Sequence, residues 1–186
     1  LGKLLAGSRQ DSAALITAGS TGRPLPNFDG RAPLRALFAT RERDIASPNI
    51  VAMLPGSDPA LASQAIVLTA HLDGYGYGEP VNGDGLYNGT LDDAAYVALL
   101  VCLAERRQSQ PFRRPILFLI VTGEEKGLLG SSWFVQHPTI PLSRVAADIN
   151  LDQLRPIFPL ELLTVHALDD TSLGEDARAV AQGMGI

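Results

Sequence analysis

Ionisable side chains that could hold a metal ion follow several apolar segments of this chain. Each comes just after a stretch typical of a buried strand, or at the start of a helix, and the set is His71, Asp73, Asp92, Asp93, Glu124, Glu125 and Asp152. Carboxylates packed together repel one another unless protons or cations compensate their charge. An imidazole among carboxylates, without thiolates, is a donor set that suits zinc, or less specifically manganese or cobalt.

Alternating apolar and helical patterns predict the elements that position these side chains. Residues 65–69, 115–121 and 145–151 are typical of buried strands, and helices are predicted over 92–107, 126–136 and 176–183. Strands that alternate with helices of this length predict a mainly parallel sheet with helices on both faces. In such a sheet the functional groups gather where the strands end, so we expect the ionisable residues at one edge.

The remaining segments give weaker patterns. Residues 34–45 alternate loosely, and 49–54 end at Pro55-Gly56, which predicts a hairpin at the edge of the sheet. Residues 161–165 are expected to form a strand, and 13–18 a helix with Asp11 as its N-cap. The glycine-rich stretch 74–89 lacks the spacing of a phosphate-binding turn and is interpreted as a loop that lines substrate or supports a metal.

Composition excludes several classes of function. With 186 residues, 46% of them hydrophobic, the chain can bury one α/β core. A net charge of −5 leaves no basic surface for nucleic acid, and no apolar run approaches the roughly 20 residues of a membrane span. The single cysteine, Cys102, excludes a disulfide framework within the chain and a cysteine-based metal site.

Four motifs together resemble those of a known family. They are Ala70-His71-Leu72-Asp73, Asn88-Gly89-Thr90-Leu91-Asp92-Asp93, Thr122-Gly123-Glu124-Glu125-Lys126-Gly127-Leu128-Leu129-Gly130-Ser131 and Asn150-Leu151-Asp152. In this order they are similar to the motifs of the two-zinc aminopeptidases, zinc exopeptidases whose relatives include glutamate carboxypeptidase and the transferrin receptor ectodomain. The resemblance extends from about Asn49 to the end of the chain. It implies a three-layer α/β/α sandwich with a mixed, mainly parallel sheet.

The resemblance also implies a role for each residue. His71 and Asp152 would bind one zinc, Asp92 would bridge two zincs, and Glu125 would bind the second. Asp73 would fix the tautomer of His71. Glu124 would be the general base that takes a proton from the metal-held water as it attacks the scissile carbonyl of a peptide substrate. Two zinc ions are expected in the full-length enzyme.

Two departures from the family pattern limit this expectation. Tyr96 stands where the family has a glycine at the start of the helix, and the family's last histidine ligand has no counterpart, because His137 and His166 are interpreted as structural. We therefore expect this chain alone to hold one zinc or none and to be poorly active. Residues 1–30 are expected to be a helical tail of an upstream module, and 31–186 a catalytic domain incomplete at its C-terminus.

Other interpretations of these residues stay open. Glu124 and Glu125 would also suit a solvated strand end before a helix, and Asp92 and Asp93 the first turn of one. A one-zinc acyltransferase similar to glutaminyl cyclases, or a receptor-like binding domain without metal, would have the same fold. The preference for an aminopeptidase over a carboxypeptidase rests on the resemblance alone.

Overall fold

The structure is a computed structural model that describes residues 1–30, 33, 35–154 and 159–186. Contacts divide the chain into two units, Leu1–Ile45 and Ala46–Ile186. The first unit contains helix α1 (Ser12–Ser20), whose N-cap is Asp11 as predicted. The Asp11 carboxylate accepts hydrogen bonds from the backbone N–H groups of Ala13 and Ala14, which satisfies two donors that the helix leaves free.

The second unit is built on a four-stranded sheet in the order β1-β5-β2-β6. Its strands are β1 (Ile50–Leu54), β2 (Ala65–His71), β5 (Ile116–Val121) and β6 (Val145–Asn150). β2 is parallel to both β5 and β6, and only β1 runs antiparallel to its neighbour β5. The predicted mixed, mainly parallel sheet is therefore confirmed.

Helices pack on both faces of this sheet, as predicted for a three-layer sandwich. On one face Leu100 of α2 (Ala95–Arg107) packs with Leu68 and Phe118. On the other face Phe134 of α3 (Leu129–Gln136) packs with Val67 and Leu117. Alternate residues of β2 and β5 thus serve opposite faces, which explains why β5 is apolar throughout and β2 is apolar except for Thr69 and His71 near its carboxyl end.

The hairpin predicted from residues 34–45 and 49–54 is wrong. The described part of 34–45, which leaves out Leu34, contains no strand, and β1 pairs instead with β5, with Ile50 opposite Ile120. β5 is a buried, apolar strand, and the backbone N–H and C=O groups on both of its edges need hydrogen-bond partners. It therefore pairs with β1 more favourably than a loosely alternating segment does.

A hairpin forms instead in the glycine-rich stretch. It consists of β3 (Gly76–Val81) and β4 (Asp84–Tyr87), which pair antiparallel. Its turn is Asn82-Gly83, and both residues have positive φ, 53° and 88°. Asn-Gly is the pair best suited to that turn, and it was the local signal for a hairpin here.

Four other elements differ from the sequence prediction, one of them α2, which begins at Ala95 rather than at 92. Residues 161–165 contain no strand, and α3 begins at Leu129 rather than at 126 because the preceding residues form a turn. The last helix, α4 (Leu173–Met184), extends beyond the predicted 176–183 at both ends, and Gly185, which follows it, has the positive φ that suits a C-cap. No helix within the described ranges is long and apolar enough to cross a membrane.

Candidate metal centre

Parallel strands bring the ionisable residues to one edge of the sheet. His71 is the last residue of β2 and lies opposite Val121, the last residue of β5. Thr69 of β2 lies opposite Asn150, the last residue of β6, two positions before Asp152. Side chains that follow β2, β5 and β6 therefore meet at the carboxyl edge, as the sequence pattern indicated.

His71 lies at the centre of this cluster and is only 2% exposed. Its Nε2 is 3.1 Å from Asp92 Oδ1 and 3.9 Å from Asp152 Oδ1. One donor atom from each of these three residues lies within 4.8 Å of the other two. Glu124 is beside this trio, with Oε2 at 3.8 Å from His71 Nε2.

Hydrogen bonds fix the orientation of the His71 ring. Its Nδ1 is 3.0 Å from the backbone carbonyl oxygen of Asp73, and its backbone N–H donates to Asp93 Oδ2 at 3.3 Å. A proton on Nδ1 that is donated to this carbonyl leaves the lone pair of Nε2 facing Asp92 and Asp152, as a metal ligand requires. The backbone carbonyl of Asp73 thus sets the tautomer of the His71 ring.

The carboxylate of Asp73 has a different task. Its Oδ1 is 3.6 Å from His71 Nδ1, whereas its two oxygens accept hydrogen bonds from the backbone N–H groups of Glu124, at 3.1 Å, and Glu125, at 3.2 Å. Asp73 therefore ties the turn after β5 to the end of β2. Sequence reasoning placed Asp73 beside His71 but did not find this link, since a main-chain contact leaves no pattern in residue types.

Asp93 is a further residue whose position the sequence left open. It is fully buried, and burial is the main reason why its pKa rises to about 7, while the hydrogen bond from the His71 backbone acts in the opposite direction. Its Oδ1 has no hydrogen-bond partner among the described residues. The side chain of Asp93 therefore contacts the main chain of His71, whereas that of Asp92 contacts the His71 ring. The two adjacent acids, which the sequence suggested as the start of a helix, thus have different partners.

Glu124 has the environment of a general base. Its side chain is 29% exposed. Burial is the largest influence on the carboxyl and raises its pKa; nearby His71 lowers it, and the charges of Asp152, Glu125 and Asp73 raise it. A carboxyl whose proton affinity is raised in this way is better suited to take a proton near neutral pH.

Glu125 and Tyr96 occupy the margin of the cluster. Glu125 is not part of the trio of metal-donor residues found among the described residues, and its carboxylate raises the pKa of the nearby Tyr75 phenol. Tyr96 packs against the core cluster around Leu100. Burial, followed by the charges of Asp93 and Asp152, raises the pKa of its phenol.

His137 and His166 lie outside the trio. The ring of His137 stacks on Trp133, with 3.9 Å between ring centroids.

The trio fits a metal ion by the chemistry of its donors. Imidazole and carboxylate groups both bind zinc, and catalytic zinc sites have three protein ligands that leave a position open for water or substrate. A divalent cation would also compensate the mutual repulsion of Asp92, Asp152 and Glu124. The arrangement can therefore bind a metal and hold a free carboxylate next to it.

Comparisons with known proteins agree with this chemistry. The sequence model of peptidase family M28 matches residues 49–186. A probable leucine aminopeptidase 2 of Aspergillus oryzae is 27% identical over 116 residues, which are 62% of this chain and 21% of that protein. A vacuolar membrane protease of Lachancea thermotolerans is 33% identical over 96 residues, 52% of this chain and 9% of that protein. The chain thus spans about a fifth or less of these two relatives.

A solved structure shares the fold. It is the glutaminyl cyclase of Bacteroides thetaiotaomicron bound to N-acetylhistamine, with a TM-score of 0.57 and 17% identity. The likeness covers 74% of this chain and 52% of that one.

Proposed function

The chain belongs to peptidase family M28, and on that basis we propose that it forms the metal-binding part of a zinc-dependent aminopeptidase that hydrolyses N-terminal peptide bonds. The observation that carries the proposal is the convergence of donor atoms from His71, Asp92 and Asp152 within 4.8 Å. The donor set supports zinc. The preference for an aminopeptidase is supported by the name of the Aspergillus relative.

His71 and Asp152 would hold one zinc ion, and Asp92 would be shared with a second ion for which this chain also offers Glu125. Zinc in such a site polarises a carbonyl and lowers the pKa of water. His71 contributes its Nε2 because its Nδ1 faces the Asp73 carbonyl at 3.0 Å. The two carboxylates contribute the charge that a divalent cation needs.

Glu124 would be the general base. Its Oε2 is 3.8 Å from His71 Nε2, close to the trio without belonging to it. The carboxylate would take a proton from the attacking water and deliver it to the leaving amine, a transfer that typically contributes about 10²–10⁴-fold to the rate. Asp73 would keep this base in place through the main-chain N–H of Glu124.

A second candidate is a one-zinc acyl transfer similar to that of glutaminyl cyclases. It is favoured by the trio itself, because His71, Asp92 and Asp152 are enough ligands for one ion and Glu125 is not part of that group. In that reaction the amine of an N-terminal glutamine would attack its own side-chain amide and release ammonia. Glu124 would then move a proton between amine and leaving group.

Assays of zinc-loaded protein with leucine p-nitroanilide test the main proposal. We expect the wild type to release p-nitroaniline at a low rate, in keeping with the poor activity expected of this chain alone, and Glu124→Gln to lose this activity while it retains the zinc content of the wild type. Glu79→Gln, the same change on the exposed hairpin, should behave as wild type. Equal activity of Glu124→Gln and wild type would contradict the role of Glu124. Release of ammonia from a glutaminyl peptide, without p-nitroaniline release, would favour the cyclase candidate.

A further inference from the structure

A cavity extends from the metal centre along the face of the sheet that α3 covers. Its volume is about 370 Å³, within the range of about 300–1,000 Å³ that is usual for pockets that bind small ligands. His71, the last residue of β2, and Glu124 line the end that the cavity shares with the metal centre. A ligand group held in this cavity would therefore lie next to the proposed general base.

Most of the cavity wall is apolar. Leu119 and Val121 of β5 and Phe134 of α3 line it, and all three belong to the buried cluster on this face of the sheet. Val67 of β2 belongs to the same cluster and also lines the cavity. Walls of this kind suit the methylene groups of a ligand, but they discriminate only weakly between apolar chains.

Asp148 places a carboxylate within these walls. It lies opposite Val67 in the pairing of β6 with β2, and its Oδ1 is 3.4 Å from Thr69 Oγ1. The Thr69 hydroxyl has a closer acceptor, Asn150 Oδ1 at 2.7 Å, so the Asp148 carboxylate is only weakly paired with it. β6 is the edge strand of the sheet and Asp148 remains exposed, although burial on the cavity side raises the pKa of its carboxyl.

The charge of Asp148 has no basic partner among the described residues. The ion pairs that Lys and Arg form in this part of the chain do not include Asp148. The described residues that line the cavity contain two carboxylates, Glu124 and Asp148, and neither Lys nor Arg. An apolar wall with a carboxylate set along it is complementary to a ligand that carries a cation on an apolar stem.

We propose that this cavity receives the side chain of the substrate's N-terminal residue, and that Asp148 makes it selective for lysine or arginine. The proposal rests on the proposed function, since it places the scissile bond at the metal trio, and it specifies the class of substrate. Thr69, which the Asp148 carboxylate faces, is two residues before His71 and thus about 7 Å from it along β2. The four-carbon stem of lysine suits this reach, whereas leucine is shorter and lacks the charge.

Two substrates that differ in one group test the selectivity. Rates are measured on zinc-loaded protein with the p-nitroanilides of lysine and norleucine, whose side chains share the four-carbon stem and differ in the terminal ammonium. We expect kcat/KM to be about 5-fold higher for lysine, because an ion pair open to solvent contributes at most about this factor. The preference should decrease as the ionic strength rises, since salt screens an exposed pair.

Asp148→Asn keeps the shape of the side chain and removes its charge. It should abolish the preference by lowering kcat/KM for the lysine anilide, while the value for the norleucine anilide stays that of the wild type. Asp170→Asn is the matched control, because it removes the same charge at an exposed position outside the cavity, and it should retain the preference. A variant that only disturbed the fold would lower both values together.

Binding of the product-like lysine amide and norleucine amide, measured by calorimetry, makes the same comparison without turnover. Lysine amide should bind about 5-fold more tightly to the wild type and to Asp170→Asn, but not to Asp148→Asn.

The outcomes separate the selectivity of the cavity from the proposed function. Equal kcat/KM of the wild type for both anilides, or a lysine preference that persists in Asp148→Asn, would overturn the selectivity alone. A wild type that hydrolyses neither anilide in the presence of zinc would overturn the proposed function. The amide isotherms would then decide on the cavity by itself, and equal affinity for the two amides would overturn its selectivity as well.

Discussion

The carboxylate of Asp73 offers a sharp test of how the general base is held. It accepts hydrogen bonds from the backbone N–H groups of Glu124 and Glu125, at 3.1 and 3.2 Å. Asp73→Asn keeps the size of the side chain and one acceptor oxygen, but its NH₂ group faces one of the two N–H donors. The change thus removes one charge-assisted hydrogen bond and leaves a backbone donor without an acceptor.

The size of the effect follows from these contacts. A hydrogen bond to a charged group contributes about 1.5–3 kcal/mol, and the Asp73 side chain is 20% exposed, so solvent can replace only part of it. If about 2 kcal/mol of this hydrogen-bond energy serves to hold Glu124 in its productive position, its loss in Asp73→Asn lowers kcat about 30-fold. KM should change little, because the base acts in the transition state and the variant leaves substrate contacts intact.

The assay compares kcat and KM of zinc-loaded wild type, Asp73→Asn and Asp84→Asn. Asp84 is a matched control: its Oδ1 accepts a hydrogen bond from the backbone N–H of Leu86 at 2.9 Å, in the hairpin rather than in the cluster. Asp84→Asn should retain the wild-type kcat. An unchanged kcat in Asp73→Asn would refute the reasoning, as would a loss of zinc that accounts for the whole decrease.

Three further predictions concern metal, pH and packing. This 186-residue chain by itself should bind no more than one zinc ion per molecule with high affinity, as metal analysis after dialysis will show; two retained ions would contradict it. Desolvation raises the pKa of Asp148 above its ordinary 3.8, and a hydrogen bond from Thr69 opposes this only in part, so the folded state disfavours the charged carboxyl. The unfolding free energy of the wild type should therefore fall, relative to Asp148→Asn, as the pH rises through and above that ordinary value. Parallel denaturant titrations at several pH values measure the difference, and parallel curves would argue against it. Leu117→Ala removes a side chain of β5 that is 1% exposed and should cost about 2–5 kcal/mol of unfolding free energy, whereas Leu162→Ala, at an 81% exposed position, should cost far less.

The fold could be predicted where burial determines the pattern. β5 is apolar throughout, and β2 is apolar from Ala65 to Leu68, because both faces of these strands are covered, and this made them visible as strands in the sequence. β1 was found as a strand, but its partner was not, because five apolar residues do not specify which edge they pair with. Residues 161–165 show the opposite error, because this short, mostly apolar segment was predicted to be a strand and forms none.

The site divides in the same way. Topology was enough to expect His71, Asp92 and Asp152 at one edge, because parallel strands bring their carboxyl ends together. The task of Asp73 was not foreseen, since it depends on the main-chain N–H groups of Glu124 and Glu125. Residue types in sequence carry little information on contacts of this kind.

The β3–β4 hairpin has a consequence for how this protein can change. It departs from the cluster at Gly74 and returns at Gly89, and these two glycines touch so closely that a Cβ on Gly74 would lie 3.2 Å from Gly89 Cα. This close approach of Gly74 and Gly89, the neck of the hairpin, involves backbone atoms alone. The length of chain between the two glycines therefore does not set the distance from His71 to Asp92. Insertions or grafted peptides at the Asn82-Gly83 tip would extend the hairpin outward and leave the neck as it is. The hairpin is a place where evolution, or an engineer, can add sequence without moving the cluster.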